Sequence, residues 1–125
     1  LLKLLSALAA VYPEIPGGGE PHDGPSAQLV SYVNEHLFEE LSLDALSLRF
    51  ARSISQTSRL FRKATGTSLW EYVQMKRLLS ARAMLQRGEP AQKSAEACGF
   101  SDYSAFFRAY KKRFGHAPGE DRPSL

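Results

Sequence analysis

At 125 residues the chain has the length of about one domain, and its 43% hydrophobic and 23% charged content is that of an ordinary globular protein rather than a disordered or fibrous one. A single cysteine excludes an internal disulfide framework and fits a reducing compartment, so a cytoplasmic protein is expected. The net charge of +3 conceals a polarised distribution: residues 1–45 hold one Lys against seven acids, whereas residues 46–118 hold fourteen Lys/Arg against four. An excess of that size predicts a polyanionic partner.

Leu1–Tyr12 is apolar at Leu1, Leu4, Leu5, Leu8 and Val11, a helical spacing too short to span a bilayer, so no membrane role is expected. It faintly resembles a signal-peptide core, but its better reading is the last helix of a preceding domain. Pro13–Pro25 holds four Pro and four Gly in thirteen residues and reads as a flexible linker. The compact domain is expected over residues 26–122.

Ser26–Glu40 reads as a helix with Leu29, Val30, Val33 and Leu37 on one side. Ser42 is placed to cap a short helix that runs to about Phe50. Ser53 with Gln56, and Ser68 with Glu71, each form a capping box. The first opens a helix that stops at Gly66. The second opens a helix of roughly twenty residues, to about Arg87, spanning about 30 Å. Its apolar residues fall on more than one face, which suits a rod between two small bundles. Pro90 suits the start of the next short helix. Gly99 supplies a positive-φ turn, Ser101 or Asp102 caps the helix that follows, and Phe106, Ala109, Tyr110 and Phe114 form its buried face. The fold expected is all-α, about seven helices in two helix-turn-helix units, about 42–66 and 90–115, joined by a linker helix at 68–87.

The two units are copies. Arg59–Gly66 (RLFRKATG) and Arg108–Gly115 (RAYKKRFG) share Arg, aromatic, basic, Lys and Gly positions at an offset of 49, while Ser47 and Ala51 match Ala95 and Gly99 at an offset of 48. DNA repeats its major groove every ~34 Å, so a rod of about 30 Å can set two recognition helices into successive turns of it.

The second unit, A-C-G-F-S-D-x-S-x-F-x-R-x-Y-K-K-R-F-G, resembles the DNA-binding domain of AraC/XylS-family bacterial transcription regulators. The resemblance covers about Ser26–Arg122 and extends to His116-Ala117-Pro118. It implies double-stranded DNA and RNA polymerase as partners, an activator role, and a preceding effector-binding and dimerisation domain of which Leu1–Tyr12 would be the end. Ser94 stands where the family usually carries an aliphatic residue, which predicts weak packing of the second unit's first helix, and Thr57 replaces a usual Leu in the first recognition helix.

Spacing puts Ser55, Ser58, Arg59 and Arg62 on the outer face of the first recognition helix, and the family match assigns Ser55, Ser58 and Arg59 to bases. Tyr103, Ser104, Phe107 and Arg108 occupy the matching face of the second, with Phe107 reading a thymine methyl or covering part of the core. Arg59 can fork onto a guanine edge. Arg52, Arg62, Lys63, Lys111, Lys112 and Arg113 are expected at phosphates, and Arg77 and Arg82 in structural roles. Cys98 is expected to be a buried filler, His36 a half-buried packing residue, and Trp70, Tyr72, Phe61 and Phe100 core. His22, His36 and His116 lack metal-ligand spacing, and no phosphate loop follows a strand, so no cofactor, metal or catalysis is expected. The alternative function is a helical interaction bundle whose basic face meets an acidic protein.

Overall fold

The computed structural model describes residues 24–124; the expected helix Leu1–Tyr12 and nearly all of the linker lie outside them. Within them the chain forms six α-helices and a closing 3-10 turn. These are α1 (Pro25–Glu35), α2 (Leu43–Arg49), α3 (Ile54–Thr65), α4 (Leu69–Gln86), α5 (Ala91–Ala97) and α6 (Tyr103–Phe114), with the turn at Pro118–Asp121. No strand occurs among the described residues.

The boundaries follow local chemistry. Ser42 accepts from the Ala45 N–H at 3.1 Å and caps α2. Both capping boxes form: Ser53 Oγ accepts from Gln56 N while the Gln56 side chain accepts from Ser53 N, and Ser68 and Glu71 repeat the arrangement. Asp102, rather than Ser101, caps α6 by accepting from Ser104 N at 3.0 Å. Gly66 and Gly115 end α3 and α6 in the left-handed region at φ +81° and +83°. Pro90 is the N-cap of α5 rather than its first residue, and Pro25, expected in the linker, opens α1.

Two expectations fail. α1 ends at Glu35 instead of Glu40, where the His36 N–H donates to the carbonyls of Tyr32 and Val33, and side chains hold the segment beyond it. His36 stacks on Tyr32 with centroids 4.2 Å apart and its Nδ1 lies 3.0 Å from Glu39 Oε1, while Arg77 on α4 donates to the carbonyls of Leu37 and Glu39. Trp70 is not core: it stands 68% exposed in the first turn of α4. Tyr72 and Val73, rather than Trp70, turn into the first core from this end of the helix.

The rod builds two cores. Its N-terminal half sends Tyr72 and Val73 into a cluster with Leu29, Val33, Leu46 and Phe61, whose ring meets Tyr72 edge-on at 5.2 Å. Its C-terminal half sends Leu78, Ala81 and Leu85 into a second cluster with Ala95, Cys98, Phe106 and Tyr110. Thr57 and Ser94 are fully buried in these cores. Their hydroxyls donate at 2.9 Å to the carbonyls of Ser53 and Pro90, four residues back, so neither is left unpaired where an aliphatic side chain was expected. Cys98 is buried beside Met84, with the sulfurs 3.8 Å apart. Burial pushes its thiol up to about 11, against the opposing pull of the Arg77 and Arg87 charges.

Candidate nucleic-acid interface

The repeat seen in the sequence is a repeat of structure. α2 and α5 are seven residues each, and α3 and α6 are twelve. At the 48-residue offset Ser47 and Ala95 are both buried where the short helix crosses its partner. The following turn is left-handed in both units: Gly99 has φ +93° and Ala51 has φ +54°, the one non-glycine residue with positive φ among the described residues. At the 49-residue offset Ser53 and Asp102 are both caps, Thr57 and Phe106 are both fully buried, and Phe61 and Tyr110 anchor their respective cores. Each recognition helix therefore turns the same face inward and offers the same face outward.

On the outward face of α3, Ser55 and Arg59 are exposed and Ser58 is half-buried. Arg59 Nη1 reaches Ser55 Oγ at 3.4 Å, a weak contact that leaves the guanidinium fork free. On α6, Ser104 and Arg108 are exposed, and Phe107 is 37% exposed, so it opens to solvent rather than closing the core. Tyr103 is half-buried and packs tilted against both Phe106 and Phe107, with centroids 5.6 and 6.4 Å away, so its ring is part of an aromatic ladder. Ile54, the counterpart of Tyr103 in the first unit, is 50% exposed. Its apolar character concealed it in the sequence; the 49-residue register was the signal that could have found it.

Arg52, Arg62, Lys63, Lys111, Lys112 and Arg113 are all exposed, and none pairs with a carboxylate among the described residues. Five of them sit in or beyond the last turns of α3 and α6, where the helix dipole favours cations. Arg82, by contrast, is structural: it lies 4.8 Å over the Phe114 ring and 3.9 Å from the Asp121 carboxylate.

A polar knot that the sequence did not reveal holds the end of α6. Tyr110 donates its hydroxyl proton to Asp121, which also lies 2.9 Å from His116 Nε2. Burial raises Asp121, but its hydrogen bonds from Tyr110 and His116 and the charges of His116 and Arg82 outweigh that and hold it below the ordinary carboxylate range. The knot packs the closing turn against α4 and α6. Between the two units runs a cleft of about 700 Å³ whose walls include Phe38, Ser58, Trp70, Arg77 and Ser101. No group of three or more His, Cys, Asp or Glu among the described residues could hold a metal.

Comparison with known proteins places these features. A family model described as a helix-turn-helix domain matches residues 46–124. The HTH-type transcriptional activator RhaS of Escherichia fergusonii is 30% identical over 106 residues, which is 84% of this chain and 38% of that protein. The probable transcriptional regulator LumQ of Photobacterium leiognathi is 33% identical over 89 residues, 70% of this chain and 36% of that one. The chain thus spans well under half the length of these relatives. Among solved structures, an AraC-type DNA-binding-domain regulator from Chromobacterium violaceum is 32% identical with a TM-score of 0.68, over 78% of this chain and 89% of that one. The DNA-binding domain of AdpA, a global transcriptional factor solved with a target DNA, is 27% identical with a TM-score of 0.70, over 77% and 87%.

Proposed function

Because the chain belongs to the AraC-type helix-turn-helix family of DNA-binding transcription regulators, we propose that it reads double-stranded DNA with two recognition helices, α3 and α6, in successive segments of the major groove. The observation that carries this reading is the duplication itself. Two helices of equal length, each with a side-chain cap at its head and a left-handed glycine at its end, present matching outward positions from opposite ends of one rod. The eighteen residues of α4 give that rod a length of about 27 Å, close to the ~34 Å repeat of the groove.

In this reading Arg59 and Arg108 fork onto guanine edges, and Ser55, Ser58 and Ser104 make adaptable contacts. Phe107, Tyr103 and Ile54 supply apolar contact, for which a thymine methyl is the fitting target. The six unpaired cations meet phosphates and set register and salt dependence rather than sequence. Activation of transcription in the cytoplasm fits the activators among the relatives. It would bring RNA polymerase against the chain, and Glu35, Glu39 and Glu40, outside both recognition helices, form the candidate surface.

Selection of bound sites from a random duplex library tests the reading. It expects enrichment of a two-part site with its halves about one helical turn apart. Enrichment of a single short box would remove one reader. No retention of any duplex at low salt would leave the basic face to an acidic protein partner instead.

A further inference from the structure

The helices of the first unit make only weak contact with those of the second, and each unit packs on α4. A rod alone would leave their relative placement to the stiffness of one helix. A single side chain adds a second connection. Arg77, midway along α4, donates from Nε to the Leu37 carbonyl at 2.7 Å and from Nη2 to the Glu39 carbonyl at 2.6 Å. Both acceptors lie in the segment that leads from α1 to α2. Its remaining arm, Nη1, faces the Gly99 carbonyl at 3.4 Å, a longer and weaker contact, in the turn between α5 and α6. The planar guanidinium has donors on three sides, which a lysine ammonium cannot spread in this way.

Gly99 shows how close the joint is. A Cβ there would sit 3.1 Å from the Arg77 Cζ and Nε and 3.2 Å from the Phe38 carbonyl oxygen. The turn of the second unit thus lies directly against the loop of the first, with the guanidinium at their junction. Gly99 meets two demands at once, a left-handed φ of +93° and this close approach.

We propose that Arg77 is a positioning residue that locks the second reading unit against the first, and thereby sets the separation at which both recognition helices can engage DNA together. Its consequence for DNA rests on the two-reader function proposed above; its geometry does not.

The test therefore has two arms. In the first, nitroxides are placed on the exposed positions Lys63→Cys and Lys112→Cys of the whole chain, the native Cys98 being buried. The distance distribution is then measured by pulsed electron–electron resonance without DNA. A narrow distribution is expected, broadened by Arg77→Lys and by Arg77→Gln at unchanged helix content, and also by Gly99→Ala, which drives a methyl into the guanidinium without removing it. Equal widths in wild type and in the folded variants would overturn the lock. In the second arm, affinities are compared for duplexes bearing one selected half-site, and both halves at the selected separation or shifted by one or two base pairs. The Arg77 variants should keep single-half affinity, lose roughly tenfold or more on the paired site and show a flattened preference for separation. Where the wild type prefers one separation, an unchanged preference in the variants would also overturn the lock. A wild-type chain indifferent to separation, with label distances that broaden as expected, would retain the lock and remove the two-reader function.

Discussion

Arg59 and Arg108 occupy the same place in two copies of one helix, and each points an unpaired guanidinium outward. Replacing either with Ala should relax base preference at one position of the selected site by ~1–3 kcal/mol of discrimination, read from competition with single-base variants of the site. If both variants keep the wild-type footprint and preference, these helices are not the readers. Lys111→Ala should act differently. It should weaken binding evenly across sequences and lower the slope of log affinity against log salt by about one unit. Cys98 offers a test within the core. Its folded thiol titrates near 11 instead of 9.0 because it is buried, so the folded chain holds a proton that the unfolded chain releases. That contribution to stability is fully present below the unfolded value and is lost as pH rises from about 9 to about 11. Melting temperature should fall across that window, and Cys98→Ala should make the fall shallower. At this scale the sequence was informative where chemistry is local, as with the capping pairs and the outward Arg. It misled at Trp70, expected in the core and found exposed, since the side of a rod that a neighbour covers is set by the neighbours and not by the rod's own periodicity.

The two helix-turn-helix elements allow each to serve as a template for the other. Ser47 is buried where the second unit has Ala95, and its hydroxyl has no hydrogen-bond partner among the described residues. Ala51 holds a left-handed φ of +54° where the second unit has Gly99. Ser47→Ala and Ala51→Gly, both borrowed from the second unit, should each stabilise the chain by roughly 0.5–1 kcal/mol in chemical denaturation. Destabilisation by both would mean that the short helices cross differently in the two units. The caps predict the reverse sign: Ser53→Ala removes one half of a reciprocal pair at the head of α3 and should cost about 1 kcal/mol. Element boundaries were legible wherever the stop signal lies in the chain, as at Gly66, Gly88 and Gly115. The end of α1 was not, because the segment that follows it is held by a guanidinium forty residues away.

Across the whole molecule, α4 contributes to both hydrophobic clusters, so neither can dissolve without stripping one half of the same helix. Leu29→Ala in the first core and Leu85→Ala in the second should each cost roughly 2–5 kcal/mol. Both should shift one common transition, in which Trp70 fluorescence and helical circular dichroism coincide. Two separated transitions would show that the rod does not couple the cores. The overall architecture was readable because it is written twice: a second copy of a motif is far harder to obtain by chance than one. The polar knot at Asp121 was not readable, since Tyr110, His116 and Arg82 meet there only once the chain has folded back.

Duplication did not leave the copies identical on their outer faces. Ser58 in one is Phe107 in the other, and Ile54 is Tyr103. A molecule with two unlike heads on one rod has a front and a back. On the proposed reading its target is not a palindrome, and a bound chain lies along the duplex like an arrow. Inverting the site in place would then turn the molecule end for end and swing Glu35, Glu39 and Glu40 to the opposite side of the promoter, without the loss of a single contact to DNA.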